Sequence, residues 1–251
     1  MAHLWWVRWE LARPLSVQTV PHATVHWTFD LAGKAEVTGL LRKRFERVLS
    51  GSGATFGVKF RPGVYGTVWG RAASALTDRV EPLETHEVKV GRQLAERLAA
   101  GFDLARATEE ARNLLRDFPT LSPTARLVRD LIERIETDAL LLRVEQLVRA
   151  TGMTERSLER AFRHHAGVAP KWVLRRYRLI EAVERLEEQP STMAALAADL
   201  GYHDQAHFTR DFKQLTGSTP AAFARRARAP KARASSSQAG LGVGDQEVSS
   251  W

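Results

Sequence analysis

Between Leu140 and Arg228 one pattern of residues occurs twice, and this duplication constrains the fold more than any other feature of the chain. The first copy runs Val144, Leu147-Val148, Gly152, Thr154, Leu158, Arg160, Phe162, Gly167, Pro170. The second runs Met193, Leu196-Ala197, Gly201, Asp204, Phe208, Arg210, Phe212, Gly217, Pro220. The offset is 49 residues as far as the first glycine and 50 beyond it, so one turn is a residue longer in the second copy. Matching apolar, glycine and arginine positions over this length imply two copies of one structural unit.

Each copy reads as a helix-turn-helix. A short apolar helix ends at a glycine, which accepts the left-handed backbone that stops a helix. Thr154 or Asp204 then offers an oxygen to cap a second helix. In that helix Leu158 and Phe162, or Phe208 and Phe212, stand four residues apart and pack on the first helix. Arg156, Arg160 and Arg163 share one other face of the first copy's second helix, and Ala206, Arg210 and Lys213 hold the matching places in the second. A helix buried on one side and basic on the other fits a major groove, where arginines bond guanine edges in pairs. Between the units, 170–186 reads as a long amphipathic connector carrying Trp172, Val173, Tyr177 and Ile180, with Arg175, Arg176 and Arg178 projecting. A stiff connector would let one chain read two groove segments about 34 Å apart, one turn of DNA.

The chain of 251 residues has 44% hydrophobic and 26% charged residues, the proportions of a soluble globular protein. It lacks any stretch of about 20 apolar residues that would cross a membrane, and its start has no secretory layout. There is no cysteine, which excludes disulfides, thiolate metal sites and cysteine nucleophiles and fits a cytoplasmic location. The net charge of +8 suits a polyanionic partner. Residues 1–133 and 134–228 each carry +4, so bulk charge does not single out the repeat and the argument rests on where individual arginines sit. Neither a Walker lysine nor a Gly-x-Ser-x-Gly element is present, and no catalytic set, cofactor or metal is expected. His22 and His26 share one polar strand face but lack a third ligand.

Ahead of the repeat the period changes. In 22–29 the apolar residues 23, 25, 27 and 29 alternate with polar ones, the signature of a half-buried strand. Segments 36–41, 45–49 and 55–60 are further strand candidates, with Ser50-Gly51-Ser52-Gly53 as a hairpin loop and Arg61-Pro62-Gly63 ending the run. This predicts a small antiparallel sheet or partial barrel over about 15–70. Trp5, Trp6 and Trp9 are assigned to core or interface packing. Helical periods follow at 90–102, 104–118 and 123–135, and 230–251 reads as a disordered tail.

The run Leu196-Ala197-Ala198-Asp199-Leu200-Gly201-Tyr202, then His207-Phe208-Thr209-Arg210-Asp211-Phe212-Lys213, Thr216-Gly217 and Thr219-Pro220, resembles the signature of AraC/XylS transcriptional regulators. Ser157-Leu158-Glu159-Arg160-Ala161-Phe162 and Gly167-Val168-Ala169-Pro170 are similar to that family's upstream unit. The resemblance covers about 135–228. It implies a sequence-specific DNA-binding regulator, with base or phosphate contacts at Arg156, Ser157, Arg160, Gln205, His207 and Arg210; Arg163 and Lys213 are expected to touch phosphate or nothing rather than a base. Ala206, opposite Arg156, departs from a hydrogen-bonding pattern. The resemblance makes double-stranded DNA the partner, with RNA polymerase, a small-molecule effector and a second copy of the chain as further candidates, and no membrane. The competing reading is an enzyme with a DNA-binding appendage, whose alkyl-transfer version needs the cysteine this chain lacks. The expected fold is α+β in two domains: a β-rich sensing or dimerising unit over 1–90, a helical connector over 91–134, an all-α double helix-turn-helix over 135–228, and a disordered tail over 229–251.

Overall fold

The computed structural model describes residues 2–19, 24–30, 34–42, 45–83, 109, 120–188, 192–228 and 241–248. The expected helices at 90–102 and 104–118 and the imidazole of His22 lie outside them. The described chain is α+β: an open antiparallel sheet followed by a helical region.

The sheet has the order β5-β3-β2-β4-β1-β6. Its strands are β1 (Ala2–Thr19), β2 (His26–Asp30), β3 (Ala35–Thr38), β4 (Phe45–Phe60), β5 (Val80–Pro82) and β6 (Leu241–Val248). Alternation sorts the side chains, because successive residues of a strand point to opposite faces. Leu4 opposes Val58 and Trp6 opposes Phe56. Leu4, Val58 and Phe56 are buried with Trp27, Phe29 and Phe60 in one apolar cluster, against which Trp6 packs. Trp27 meets Phe60 edge-on at 4.8 Å and Trp69 at 4.9 Å. Each fully buried side chain such as Leu4 or Phe60 contributes about 1.5–3 kcal/mol.

Three sequence expectations are corrected in this part. The sheet begins at Ala2 rather than near residue 15, because β1 pairs with β4 along nearly its whole length. Pro14 sits where the register shifts, between Leu11 and Leu15, so its missing N–H costs no ladder bond. Residues 50–53 form no hairpin: β4 runs unbroken through them. Gly53 lies beneath the Trp9 ring and Gly57 beneath the Trp5 ring, and a Cβ at either would overlap the indole. These glycines make room for cross-strand tryptophans rather than for a turn. The third correction is β6, which lies antiparallel against β1 within the stretch expected to be a disordered tail.

After β4 come two short elements absent from the expectation: α1 (Val64–Trp69) and a 3-10 turn, Ala73–Leu76. The helical region then comprises α2 (Pro123–Thr137), α3 (Val144–Thr151), α4 (Glu155–Ala166), α5 (Pro170–Glu188), α6 (Met193–Asp199), α7 (Gln205–Thr216) and α8 (Pro220–Arg228). Ser122 caps α2 by accepting from Ala125 N at 3.1 Å, with Pro123 in the first turn, where its missing N–H is harmless. The expected boundary at 134/135 falls inside α2. Val128, Leu131, Ile132 and Ile135 of α2 share one buried cluster with Leu147, Leu158 and Phe162, so α2 belongs to the first helix-turn-helix.

That cluster also takes in Leu40 from the sheet. The two parts are further joined by three polar contacts at the C-terminal end of α4 and along α2. Gly63 N donates to His165 O at 2.9 Å, Thr77 Oγ1 donates to Gly167 O at 2.8 Å, and Arg61 pairs with Glu133.

Candidate nucleic-acid interface

The two repeats fold into near copies. In the first, Gly152 ends α3 at φ +68° and its N–H donates to Val148 O at 2.9 Å. Gln146 fastens the start of α3, accepting from Arg143 N at 2.8 Å and Leu142 N at 2.9 Å. Thr154 Oγ1 then accepts from Ser157 N at 3.2 Å, capping α4. In the second, Thr192 Oγ1 caps α6 by accepting from Ala195 N at 3.2 Å, and Gly201 turns the chain at φ +70°. Asp204 Oδ1 caps α7, accepting from His207 N at 2.7 Å, and this bond holds the Asp204 carboxyl below its ordinary range.

Each second helix buries one stripe and exposes another. Leu158, Ala161, Phe162 and Ala166 are buried on α4, whereas Arg156, Arg160 and Arg163 are exposed. On α7, Phe208, Asp211, Phe212 and Leu215 are buried, and Gln205, Ala206, His207, Arg210 and Lys213 are exposed. All eight residues singled out from the sequence are therefore on α4 or α7, but they are not equivalent. Ser157 is half-buried and its hydroxyl is 3.0 Å from Thr154 Oγ1, so it is part of the cap. His207 meets the Tyr202 ring edge-on at 5.2 Å, and its Nε2 lies 3.5 Å from Asp211 Oδ2. Arg156, Arg160, Arg163 and Arg210 stand clear on their helix surfaces.

The connector α5 carries what sequence reading missed. Arg175, Arg176 and Arg178 do not simply project. Arg175 Nε lies 2.5 Å from Asp211 Oδ2, and its guanidinium also donates to Gln214 Oε1 at 3.1 Å. Arg178 sits 5.1 Å from the Tyr202 ring centre and donates to Leu200 O at 3.1 Å. Arg176 is buried and stacks 5.7 Å from the Trp172 ring centre; loss of solvent pulls its guanidinium down to about 10. Burial first, then the negative charge of Asp211, pushes the Tyr202 hydroxyl above its usual range. The signal for this tie was present: Asp211 falls on the buried stripe of α7, where a carboxylate requires a cation. The first repeat has the apolar Ala161 at that place.

At the far end of α4, His165 is half-buried beside His164, with ring centres 4.6 Å apart. Burial, helped by the charge of His164, lowers His165 to about 4. Among the described residues no helix is long and apolar enough to cross a membrane.

Comparison with known proteins follows the same division of the chain. A helix-turn-helix domain family matches residues 147–226, and a domain of unknown function (DUF6597) matches residues 1–82. The Proteus vulgaris protein PqrA, a transcription factor by name, is 29% identical over 39% of this chain and 82% of its own length. The HTH-type transcriptional regulator GlxA of Rhizobium meliloti is 34% identical over 32% of this chain, which spans only 25% of GlxA. Among solved structures, a Rhodopseudomonas palustris protein assigned to the AraC family of transcriptional regulators is 31% identical; 41% of this chain covers 99% of it, with a TM-score of 0.38.

Proposed function

Because this chain belongs to the AraC/XylS family of transcriptional regulators, we infer that α4 and α7 are its two base-reading helices and enter successive major-groove segments of one DNA site. The observation that carries this reading is the shared build of the two helices. Each is capped at its start, sealed on one side by two apolar residues four apart, and basic on the opposite side. Arg156, Arg160 and Arg210 are the base readers, since the planar guanidinium offers a rigid pair of donors that matches guanine O6 and N7. Arg163 and Lys213, further along the helices, hold phosphate and set the register without choosing sequence. Gln205 sits at the first turn of α7 and reaches a base edge. His207, held between Tyr202 and Asp211, contributes from a fixed position, and Ser157 acts through the cap.

The regulator works in the cytoplasm, where its DNA is, and acts on transcription by RNA polymerase. The N-terminal sheet is the part through which a small-molecule effector or a second copy of the chain adjusts it. Footprinting of the full chain on the DNA upstream of its own gene tests the central reading. Two protected patches on one face of the duplex, about 10 base pairs apart, are expected. Protection of a single patch, or of none at low salt, would refute it.

A further inference from the structure

The sheet-bearing part of the molecule reaches the first recognition helix. Ala72 and Ser74 form one wall of an open cleft of about 370 Å³ whose other wall is α4, with Arg156, Glu159, Arg160, Arg163 and His164. The hydrogen bonds from Gly63 to His165 and from Thr77 to Gly167 fasten that wall in place.

The wall has the character of a rim that receives a ligand, not of a plug. An occluding segment would bring acids to neutralise the arginines. Here the turn is Ala-Ser-Ala-Leu, with Ser74 exposed. The edge brings no carboxylate of its own into the cleft: Asp78 holds Arg42 and Glu81 holds Arg71, and the acid that lines the cleft, Glu159, belongs to α4 itself. Three exposed guanidiniums thus face a small, neutral, hydroxyl-bearing edge across an open gap. Its chemistry suits a phosphodiester strand, with Ser74 donating a hydrogen bond to a phosphate oxygen from the side opposite Arg163, the phosphate-holding arginine of α4.

Resting on the assignment of α4 as a major-groove helix, we propose that the N-terminal part is a working piece of the DNA interface. The Ala72–Ser74 edge clamps the sugar-phosphate strand that flanks the groove occupied by α4. The contact is sequence-blind, so it adds affinity and salt dependence at every site without changing base preference. It also makes the two helix-turn-helix units unequal, since among the described residues such an edge lines a cleft with α4 and none does so with α7.

The test uses the full chain and two fluorescent duplexes, one from upstream of its own gene and one of random sequence, with anisotropy titrations over a range of KCl. Ser74→Lys should tighten binding to both duplexes by about three- to tenfold at low salt and steepen log Kd against log salt by about one. Ser74→Glu should weaken both by about tenfold or more, through repulsion of phosphate. Binding of both variants as in the wild type, or tighter binding of Ser74→Glu, overturns the clamp; the latter outcome would make the turn a block. Arg210→Ala, in the other unit, separates the clamp from the underlying reading. If it weakens binding while the Ser74 variants do not, the clamp alone falls. If the full chain binds neither duplex at low salt, both fall.

Discussion

The two helix-turn-helix units share one frame, yet each fixes its recognition helix by a different physical device. In the first, α4 is held by apolar packing against α2 and α3 and by contacts from the sheet side at Gly63, Thr77 and Leu40. In the second, α7 is tied to the connector by an ion pair between the buried Asp211 and the partly exposed Arg175, beside Tyr202 and Arg178. The position that is Ala161 in one copy is Asp211 in the other. The lesson is that a repeat preserves geometry while its copies find separate solutions to anchoring. The first unit leans on a neighbouring part of the chain, and the second leans on charge within itself.

The strongest way to break this comparison is to remove the first unit's support. A fragment of residues 138–228 lacks Val128, Leu131, Ile132 and Ile135, four core side chains worth about 1.5–3 kcal/mol each. That exceeds half of a typical domain's stability of about 5–15 kcal/mol, so the first unit should unfold while the second stays folded. Amide exchange should show protection on 193–226 and none on 144–166; equal protection of both would contradict the account.

Exchanging the two anchoring devices is the next largest perturbation. Ala161→Asp places an unpaired carboxylate in an apolar core and should destabilise by roughly 3 kcal/mol or more. Asp211→Ala leaves Arg175 without its carboxylate, but that guanidinium is 38% exposed and water screens it, so a loss of about 1–2 kcal/mol is expected. Urea unfolding measures both, and an equal cost for the two would mean that the Arg175–Asp211 pair is no specific anchor.

The caps sharpen the comparison from the other side, because here the units ought to agree. Thr154→Ala and Asp204→Ala each remove one side-chain acceptor from a helix start, at a cost of about 1 kcal/mol. A difference much beyond that between them would show that the frames are less alike than their hydrogen bonds.

A smaller effect concerns pH. His165, lowered to about 4, stays neutral in the folded chain, whereas the unfolded chain takes up its proton below about 6.5. The unfolded state therefore binds more protons between these values, and stability falls as pH drops through that window. His165→Gln should flatten this part of the stability–pH curve. A curve unchanged by the substitution would remove the histidine from the joint's energetics.

The helical half was legible because its signals are local. Glycines at Gly152 and Gly201, caps at Thr154 and Asp204, and aromatic pairs four residues apart each dictate a feature within one or two turns. The rest depended on contacts distant in sequence. The length of β1 is set by pairing with β4 some 26 to 58 residues away, and Pro14 within it is accommodated where the register shifts. Ser50-Gly51-Ser52-Gly53 looked like a hairpin because a glycine that spares a turn and one that spares a tryptophan ring are identical in sequence. Arg175, Arg176 and Arg178 read as a projecting basic row because periodicity reports which side a residue is on and not what meets it there. Only the carboxylate on the buried stripe of α7 hinted at a partner, that of Arg175.

The central claim is that the two helices read separate halves of one site. The most direct measurement is selection from a randomised duplex library with the wild type, Arg160→Ala and Arg210→Ala. An arginine paired to guanine discriminates by about 1–3 kcal/mol, so each variant should relax base preference in one half of the selected site and leave the other half intact. The loss should be larger for Arg160→Ala, which shares its helix with Arg156, whereas Arg210 has only Ala206 at the matching place. Loss of affinity that is uniform over all sequences for both variants would mean that these arginines hold only phosphate, and the two-reader account would be wrong.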